Sequence, residues 1–229
     1  MKIHGFQKMT LLDFPGKVAC TVFTAGCNLR CPFCHNAFLV TQLDGREEID
    51  SAEILEYLHR RKGLLDGVCI TGGEPLLHDG VFNFMKEIKK TGLAVKLDTN
   101  GTFPHRLKQA VGEGLVDYVA MDIKNTPEKY AETVGIPHFD TVGVLESINF
   151  LLTNAVDFEF RTTVVKELHT QEDIVSVVKL IQGAPRYFLQ TFVDSGNLIG
   201  SNLHGLSSNE MQTFKEAAQQ FVVNTQVRG

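Results

Sequence analysis

The chain has 229 residues, 43% hydrophobic and 21% charged, with a formal net charge of −5. That is globular composition, long enough for one large α/β domain. The acidic balance and the scattered lysines and arginines argue against nucleic-acid and anionic-membrane binding; Arg60-Arg61-Lys62 reads as a solvated helix end.

Residues 1–17 read as a mixed lead-in that turns at Asp13-Phe14-Pro15-Gly16, where Pro and Gly supply the turn geometry. The apolar, β-branched run 18–23 is expected to be a buried strand. Directly after it, Cys27, Cys31 and Cys34 are spaced C-x3-C-x2-C. Thiolate is the soft ligand that selects iron–sulfur clusters, zinc or copper(I). No fourth cysteine follows at close spacing, and Cys20 and Cys69 lie in apolar runs where they are expected to pack as small hydrophobes. A four-iron cluster on three cysteines keeps one iron open, and a site one ligand short does chemistry rather than bracing. Three other readings compete. Cys31-Pro32-Phe33-Cys34-His35 fits the C-x-x-C-H haem attachment pattern, which belongs to exported chains. A Cys3His zinc site would require the adjacent Cys34 and His35 to reach one ion. A disulfide does not suit an odd trio in a chain with no signal core. With no apolar run near the length of a membrane span either, a cytoplasmic location is expected.

Residues 37–50 read as a polar connection ending at Asp50 or Ser51, either of which can cap a helix over 52–61 with Ile54, Leu55 and Leu58 on one face. A short strand at 67–70 leads into Thr71-Gly72-Gly73-Glu74-Pro75. Gly72 and Gly73 allow a ligand close to the backbone, and Glu74 offers an acceptor to an ammonium; a Gly-Gly turn capped by Glu is the bland alternative. Next come a helix over 81–90 with Phe82, Met85 and Ile88 or Lys89 in register, a stop at Gly92, and a strand over 93–97 ending at Asp98-Thr99-Asn100-Gly101. A helix over 104–111 precedes a strand over 115–120 that runs into Met121-Asp122-Ile123-Lys124. There Asp122 and Lys124 flank Ile123 and point to one side, as cofactor-facing residues or as a plain buried pair. Residues 125–140 read as irregular or a short helix. A helix over 142–152 and a strand over 158–165 follow; Arg161 within that strand needs a partner if buried. A helix over 171–181 capped by Thr170, a strand over 187–192 and a helix from Ser207 or Ser208 to 221 complete the chain. His4, His59, His78, His105, His138, His169 and His204 stand in polar or loop contexts and are expected at the surface.

Six strands, each followed by a helix, imply an α/β fold with parallel strands and right-handed crossovers. The polar clusters each follow a different strand, which favours a ring of strand ends sharing one mouth over the single crevice of a doubly wound sheet.

At Cys27, Cys31, Phe33 and Cys34 the chain resembles the radical S-adenosylmethionine (radical SAM) superfamily, whose signature is C-x3-C-x-aromatic-C. Cys34-His35-Asn36 looks like the glycyl-radical-enzyme activases. Gly5-Phe6-Gln7-Lys8 and Asp13-Phe14-Pro15-Gly16 look like the branch that activates anaerobic ribonucleoside-triphosphate reductase. The resemblance implies a partial, open six-stranded parallel barrel as a single domain over 1–229, with a lead-in at 1–17 and the barrel over 18–221. Its open side would admit a macromolecular substrate. It further implies a [4Fe-4S] cluster on Cys27, Cys31 and Cys34, and S-adenosylmethionine held by Phe33, Gly72, Gly73, Glu74, Asp98, Thr99, Asp122, Lys124 and Arg161. The implied reaction is reductive cleavage of that cofactor and removal of a hydrogen from a glycine of a partner enzyme. A flavodoxin or ferredoxin-type protein is the expected reductant. The pyruvate formate-lyase activases carry a histidine after the sixth strand; here the stretch is Gln190-Thr191-Phe192-Val193-Asp194. An activase of another glycyl-radical enzyme, or a small-molecule enzyme such as a 7-carboxy-7-deazaguanine synthase, is the alternative.

Overall fold

Eight strands and eight α-helices alternate along the computed structural model, which describes residues 1–43 and 47–229. The backbone packs as two compact units. The first comprises Met1–Asn28, Phe38–Thr99 and His105–Val119; the second comprises Leu29–Ala37, Asn100–Pro104 and Ala120–Gly229.

In the first unit, β2 (Ala19–Thr24), β3 (Gly67–Gly72) and β4 (Ala94–Thr99) are neighbours in chain order and run parallel. Ala19, Cys20, Val22, Val68, Cys69, Ile70, Val95 and Leu97 are all buried. Such near-continuous apolar runs mark strands covered on both faces. The intervening helices are α1 (Ala37–Thr41), α2 (Ser51–Arg60), α3 (Val81–Lys90) and α4 (Pro104–Gly112). Asp50 caps α2, its carboxylate accepting from the Ala52 amide at 2.9 Å, and Ile54 and Leu58 face inward. On α3 the buried stripe is Val81, Phe84, Met85 and Ile88, while Phe82, expected in that stripe, lies under the Arg106 guanidinium at 5.0 Å.

Two expectations are corrected here. The lead-in contains a strand, β1 (Ile3–Thr10), antiparallel to β2 with two register irregularities. Its Gln7, Lys8 and Met9 are exposed, so period-two alternation is blurred in the sequence. The connection expected over 37–50 opens with α1; residues 44–46 of it lie outside the described residues. The Asp13-Phe14-Pro15-Gly16 turn is a packing device. Phe14 is buried against Ala19 and Tyr118, Asp13 accepts from the Thr21 hydroxyl at 2.5 Å, and a Cβ on Gly67 would come within 2.8 Å of the Phe14 ring.

β5 (Tyr118–Asp122) begins in the first unit and ends in the second. In the second unit β6 (Asp157–Val164), β7 (Tyr187–Thr191) and β8 (Thr225–Arg228) are parallel neighbours. Its helices are α5 (Tyr130–Val134), α6 (Val142–Leu151), α7 (Gln171–Leu180) and α8 (Ser208–Gln219). Thr170 and Ser207 form capping boxes with Asp173 and Glu210, which fixes where α7 and α8 start. β8, the second strand beyond the expected six, is four residues long and too short to carry a periodic signal. Among the described residues no helix is long and apolar enough to cross a membrane.

A buried relay ties the second unit together. The Tyr187 hydroxyl donates to Thr162 Oγ1 at 2.8 Å, and the Thr162 hydroxyl donates to the Ile123 carbonyl at 2.8 Å. Tyr187→Phe removes one donor and is expected to cost about 1 kcal/mol of unfolding free energy. Thr162→Val strands both the tyrosine hydroxyl and the carbonyl and is expected to cost about 2–3 kcal/mol. Urea denaturation of the two variants checks the order; equal losses would show that the relay is not a chain.

Candidate active site

Within the first unit, adjacent parallel strands carry chemistry-bearing residues at their C-terminal ends. Thr24 of β2 is level with Gly72 of β3, and Ile70 of β3 with Leu97 of β4. Gly26-Cys27 therefore leaves β2 beside Gly72-Gly73-Glu74, and Asp98-Thr99 ends the next strand. The two glycines, expected to allow a ligand close to the backbone, also admit the backbone of the neighbouring strand end. The Gly73 amide donates to the Thr24 carbonyl at 2.8 Å and the Glu74 amide to the Gly26 carbonyl at 2.9 Å. A Cβ on Gly73 would lie 1.9 Å from the Gly26 oxygen, and one on Gly72, at φ +110, would lie 2.4 Å from the Thr24 oxygen.

Glu74 is fully buried. Its Oε1 accepts from the Leu76 amide at 3.0 Å, capping the short 3-10 turn Pro75–Leu77, and from the Thr99 hydroxyl at 2.9 Å. The cap reading of Glu74 is thus realised, and Thr99 joins it. Asp98 pairs with the ammonium of Lys96, a residue with 2% of its surface exposed. The sequence reading passed over Lys96, although a lysine inside an apolar strand two residues from an aspartate was a visible signal. Cys69, the cross-strand neighbour of Lys96, accepts from the same ammonium at 3.7 Å, so it is more than an apolar filler. Cys20 is fully buried, and burial pushes its thiol up to about 12.

Within the second unit lie Cys31, Phe33, Cys34, Asp122, Lys124 and Arg161. Asp122 Oδ1 accepts from Arg161 Nε at 2.8 Å, and its Oδ2 from Lys124 Nζ at 3.1 Å. Arg161, expected to need a partner if buried, thus finds one in this acid. Burial by itself would raise the Asp122 pKa; the two cations outweigh it and hold the carboxyl at about 2. Burial would lower the Lys124 pKa, but Asp122 and Cys31 raise it, so this lysine is charged. Its ammonium stands 5.9 Å from the centre of the Phe33 ring.

The loop carrying Cys31 and Cys34 is pinned by backbone bonds from Arg30 to the Val134 carbonyl at 2.8 Å, from Cys34 to the Cys31 carbonyl at 3.1 Å, and from Gly200 to the Pro32 carbonyl at 2.8 Å. Burial pushes the Cys31 thiol up to about 11, with Lys124 pulling the other way, and burial raises Cys34 too. His35 packs edge-on against Phe192 at 5.5 Å and its pKa is lowered by burial, then by Lys124.

His169, expected at the surface, is buried. Its Nε2 donates to the Lys124 carbonyl at 2.7 Å, and Nδ1 accepts from the Val165 amide at 3.1 Å. That pattern needs one protonated nitrogen, and burial lowers the pKa accordingly. The His4 side chain is also largely covered, at 4% exposure.

Residues 21–185 match the model of the radical SAM superfamily. The chain belongs to that superfamily. Along 99% of its length it is 30% identical to a Methanocaldococcus jannaschii protein, provisionally named a glycyl-radical enzyme activating enzyme, and covers 95% of it. It is 31% identical to the pyruvate formate-lyase 1-activating enzyme of Escherichia coli, over 75% of this chain and 71% of that one. The structure of Streptococcus suis SuiB superposes with a TM-score of 0.73 at 13% identity, covering 91% of this chain; the chain spans about half of SuiB, 48%. The protein is a radical SAM enzyme of the glycyl-radical activating branch, with the α/β fold of parallel strands expected for it. Its cofactors are a [4Fe-4S] cluster and S-adenosylmethionine. Among the described residues, no three His, Cys, Asp or Glu side chains stand close enough to hold a metal ion as placed. The chemistry of the donors fits the cluster all the same: three cysteines on one short loop, two of them thiols that burial keeps protonated until a metal displaces the proton.

Asp122→Asn should remove the carboxylate that Lys124 and Arg161 both pair with and cost about 3 kcal/mol near neutral pH. Because the folded carboxyl is held at about 2, below the ordinary aspartate value of 3.8, its contribution is complete above about pH 4 and lost as pH falls toward 2. The stability gap between wild type and variant should therefore close through that window, as read by urea denaturation at several pH values.

Proposed function

We propose that this enzyme installs the glycyl radical of anaerobic ribonucleoside-triphosphate reductase, with a flavodoxin or ferredoxin-type protein as electron donor. The observation that carries the activase part is the 30% identity along 99% of the chain to an activating enzyme, together with the Cys34-His35-Asn36 ending. The reductase part is supported by Gly5-Phe6-Gln7-Lys8 and Asp13-Phe14-Pro15-Gly16, and by Gln190-Thr191 where pyruvate formate-lyase activases have histidine.

In this reading Cys27, Cys31 and Cys34 hold the cluster. Glu74, presented by Gly72 and Gly73, receives the ammonium of S-adenosylmethionine, with Asp98 and Thr99 at the next strand end also facing that cofactor. Phe33, Asp122, Lys124 and Arg161 complete the contacts, the Asp122 pairs keeping two cations fixed where an anionic carboxylate can meet them. When bound, the cluster and cofactor supply reductive cleavage of the sulfonium and abstraction of a hydrogen atom from the partner's glycine. The chain's own task is to bind, orient and exclude water.

Replacing any one of Cys27, Cys31 or Cys34 by Ala should abolish cofactor cleavage, while Cys20→Ala and Cys69→Ala should keep the reconstituted iron. Loss of iron in a folded Cys69→Ala protein would overturn the ligand assignment. Glu74→Gln keeps the acceptor that Leu76 and Thr99 use and removes only the charge. It should retain iron and bind S-adenosylmethionine about tenfold to a hundredfold more weakly by anaerobic calorimetry, the range for a hydrogen bond to a charged group.

The partner is tested by mixing reduced enzyme and S-adenosylmethionine with candidate glycyl-radical enzymes under anaerobic conditions. A glycyl EPR doublet on the ribonucleotide reductase is expected. A doublet only on another glycyl-radical enzyme would move the assignment there. Stimulation of 5′-deoxyadenosine release by a small molecule, with no doublet on any protein, would end the activase reading.

A further inference from the structure

Lys96 is fully enclosed, with 2% of its surface exposed, in the middle of β4 between Val95 and Leu97. It is the one lysine among the described residues that is buried to this degree. Its ammonium contacts the Asp98 carboxylate and, at 3.7 Å, the Cys69 sulfur. Cys69 is its register partner on β3, and Asp98 lies two residues along the same strand, hence on the same face. The lysine is therefore directed up the strand, toward its C-terminal end.

An enclosed ion pair is a poor way to stabilise a protein. Desolvating both charges consumes most of their attraction, and an apolar residue of similar volume generally does as well. A strand this apolar had no packing reason to hold a lysine. What the ammonium does achieve is specific: it fixes a carboxylate with 14% side-chain exposure at the strand end where Asp98 and Thr99 stand. Thr99 is fixed separately, through its hydroxyl bond to Glu74. Consecutive residues are thus locked by different partners, one from below and one from the neighbouring turn.

We propose that Lys96 is a positioning residue for the S-adenosylmethionine site, its buried ammonium holding the Asp98 carboxylate in the orientation that receives the cofactor. This rests on the reading above in which Asp98 faces that cofactor. Lys96 does not touch the ligand. It acts through Asp98, so its loss alters affinity more than turnover.

The test compares reconstituted wild type with Lys96→Met, Asp98→Asn and the double variant. Four quantities are read: iron content, melting temperature, the dissociation constant for S-adenosylmethionine by anaerobic calorimetry, and KM and kcat for cofactor cleavage. Lys96→Met is expected to keep its iron, to raise both the dissociation constant and KM about tenfold or more, and to hold kcat within about twofold at saturation. The double variant should bind no more weakly than Asp98→Asn, because the lysine has no role once the carboxylate is gone. Wild-type affinity in Lys96→Met, or losses that multiply in the double variant, would overturn the proposal. If Asp98→Asn itself binds normally, the assignment of Asp98 to the cofactor fails instead, whatever Lys96→Met does. Should Lys96→Met not fold, Lys96→Gln, which keeps a donor of similar reach without the charge, is measured by the same criteria. If neither variant folds with iron, Lys96 serves the fold and the positioning role is wrong.

Discussion

The contact on which the first unit's chemistry depends is the approach of the Gly72-Gly73 backbone to Thr24 and Gly26. Two amide bonds, from Gly73 to Thr24 and from Glu74 to Gly26, continue the β2–β3 pairing past the ends of both strands. They attach the Gly72-Gly73-Glu74 turn to the very residue before Cys27. No side chain fits between those backbones, since a Cβ on Gly73 would sit 1.9 Å from a carbonyl oxygen. Glycine is required there for steric reasons, and its consequence is functional: Glu74 is delivered at a fixed distance from the start of the cysteine loop. The side chain of Glu74 then turns to Leu76 and Thr99, so its position is set by three elements at once.

The second unit solves a different problem, which is how to keep cations in place inside a protein. Lys124 and Arg161 are each about one-seventh exposed, and both lean on the single carboxylate of Asp122. The Lys124 ammonium opposes the rise that burial imposes on the Cys31 and Cys34 thiols, and so favours their thiolates. The backbone of Lys124 is held as firmly as its side chain. The His169 imidazole donates to the Lys124 carbonyl, and the Lys124 amide donates to the Tyr130 hydroxyl at 3.3 Å. Substitution of His169 would therefore act on the ammonium from a distance, through the backbone.

Much of this was legible in the sequence, and the parts that were not share a cause. Strands buried on both faces announce themselves as apolar runs, and helices start where Asp50, Thr170 and Ser207 cap them. The cysteine triplet and the Gly-Gly-Glu turn stood out because their residue types are costly anywhere else. β1 was missed because an edge strand with an exposed end need not alternate, and β8 because four residues carry no period. Lys96 and His169 were missed for a physical reason of another kind. A buried polar residue is defined largely by partners distant in sequence, such as Cys69 for Lys96 and Lys124 for His169; Asp98, two residues from Lys96, was the local sign that was passed over.

The segments that most resemble reductase activases turn out to have packing duties in the first unit. A Cβ on Gly5 would crowd the Phe23 side chain at 3.1 Å, the Phe6 ring meets Tyr57 edge-on at 5.1 Å, and the Lys8 carbonyl accepts from the Tyr57 hydroxyl at 2.9 Å. Phe14 and Asp13 close the N-terminal ends of β2 and β3 in the same way. Gly72-Gly73-Glu74 leave β3 at its opposite, C-terminal end, and Asp98-Thr99 end β4. The β1–β2 hairpin thus steadies the first unit from the strand N-termini, where these residues are constrained to pack on one another.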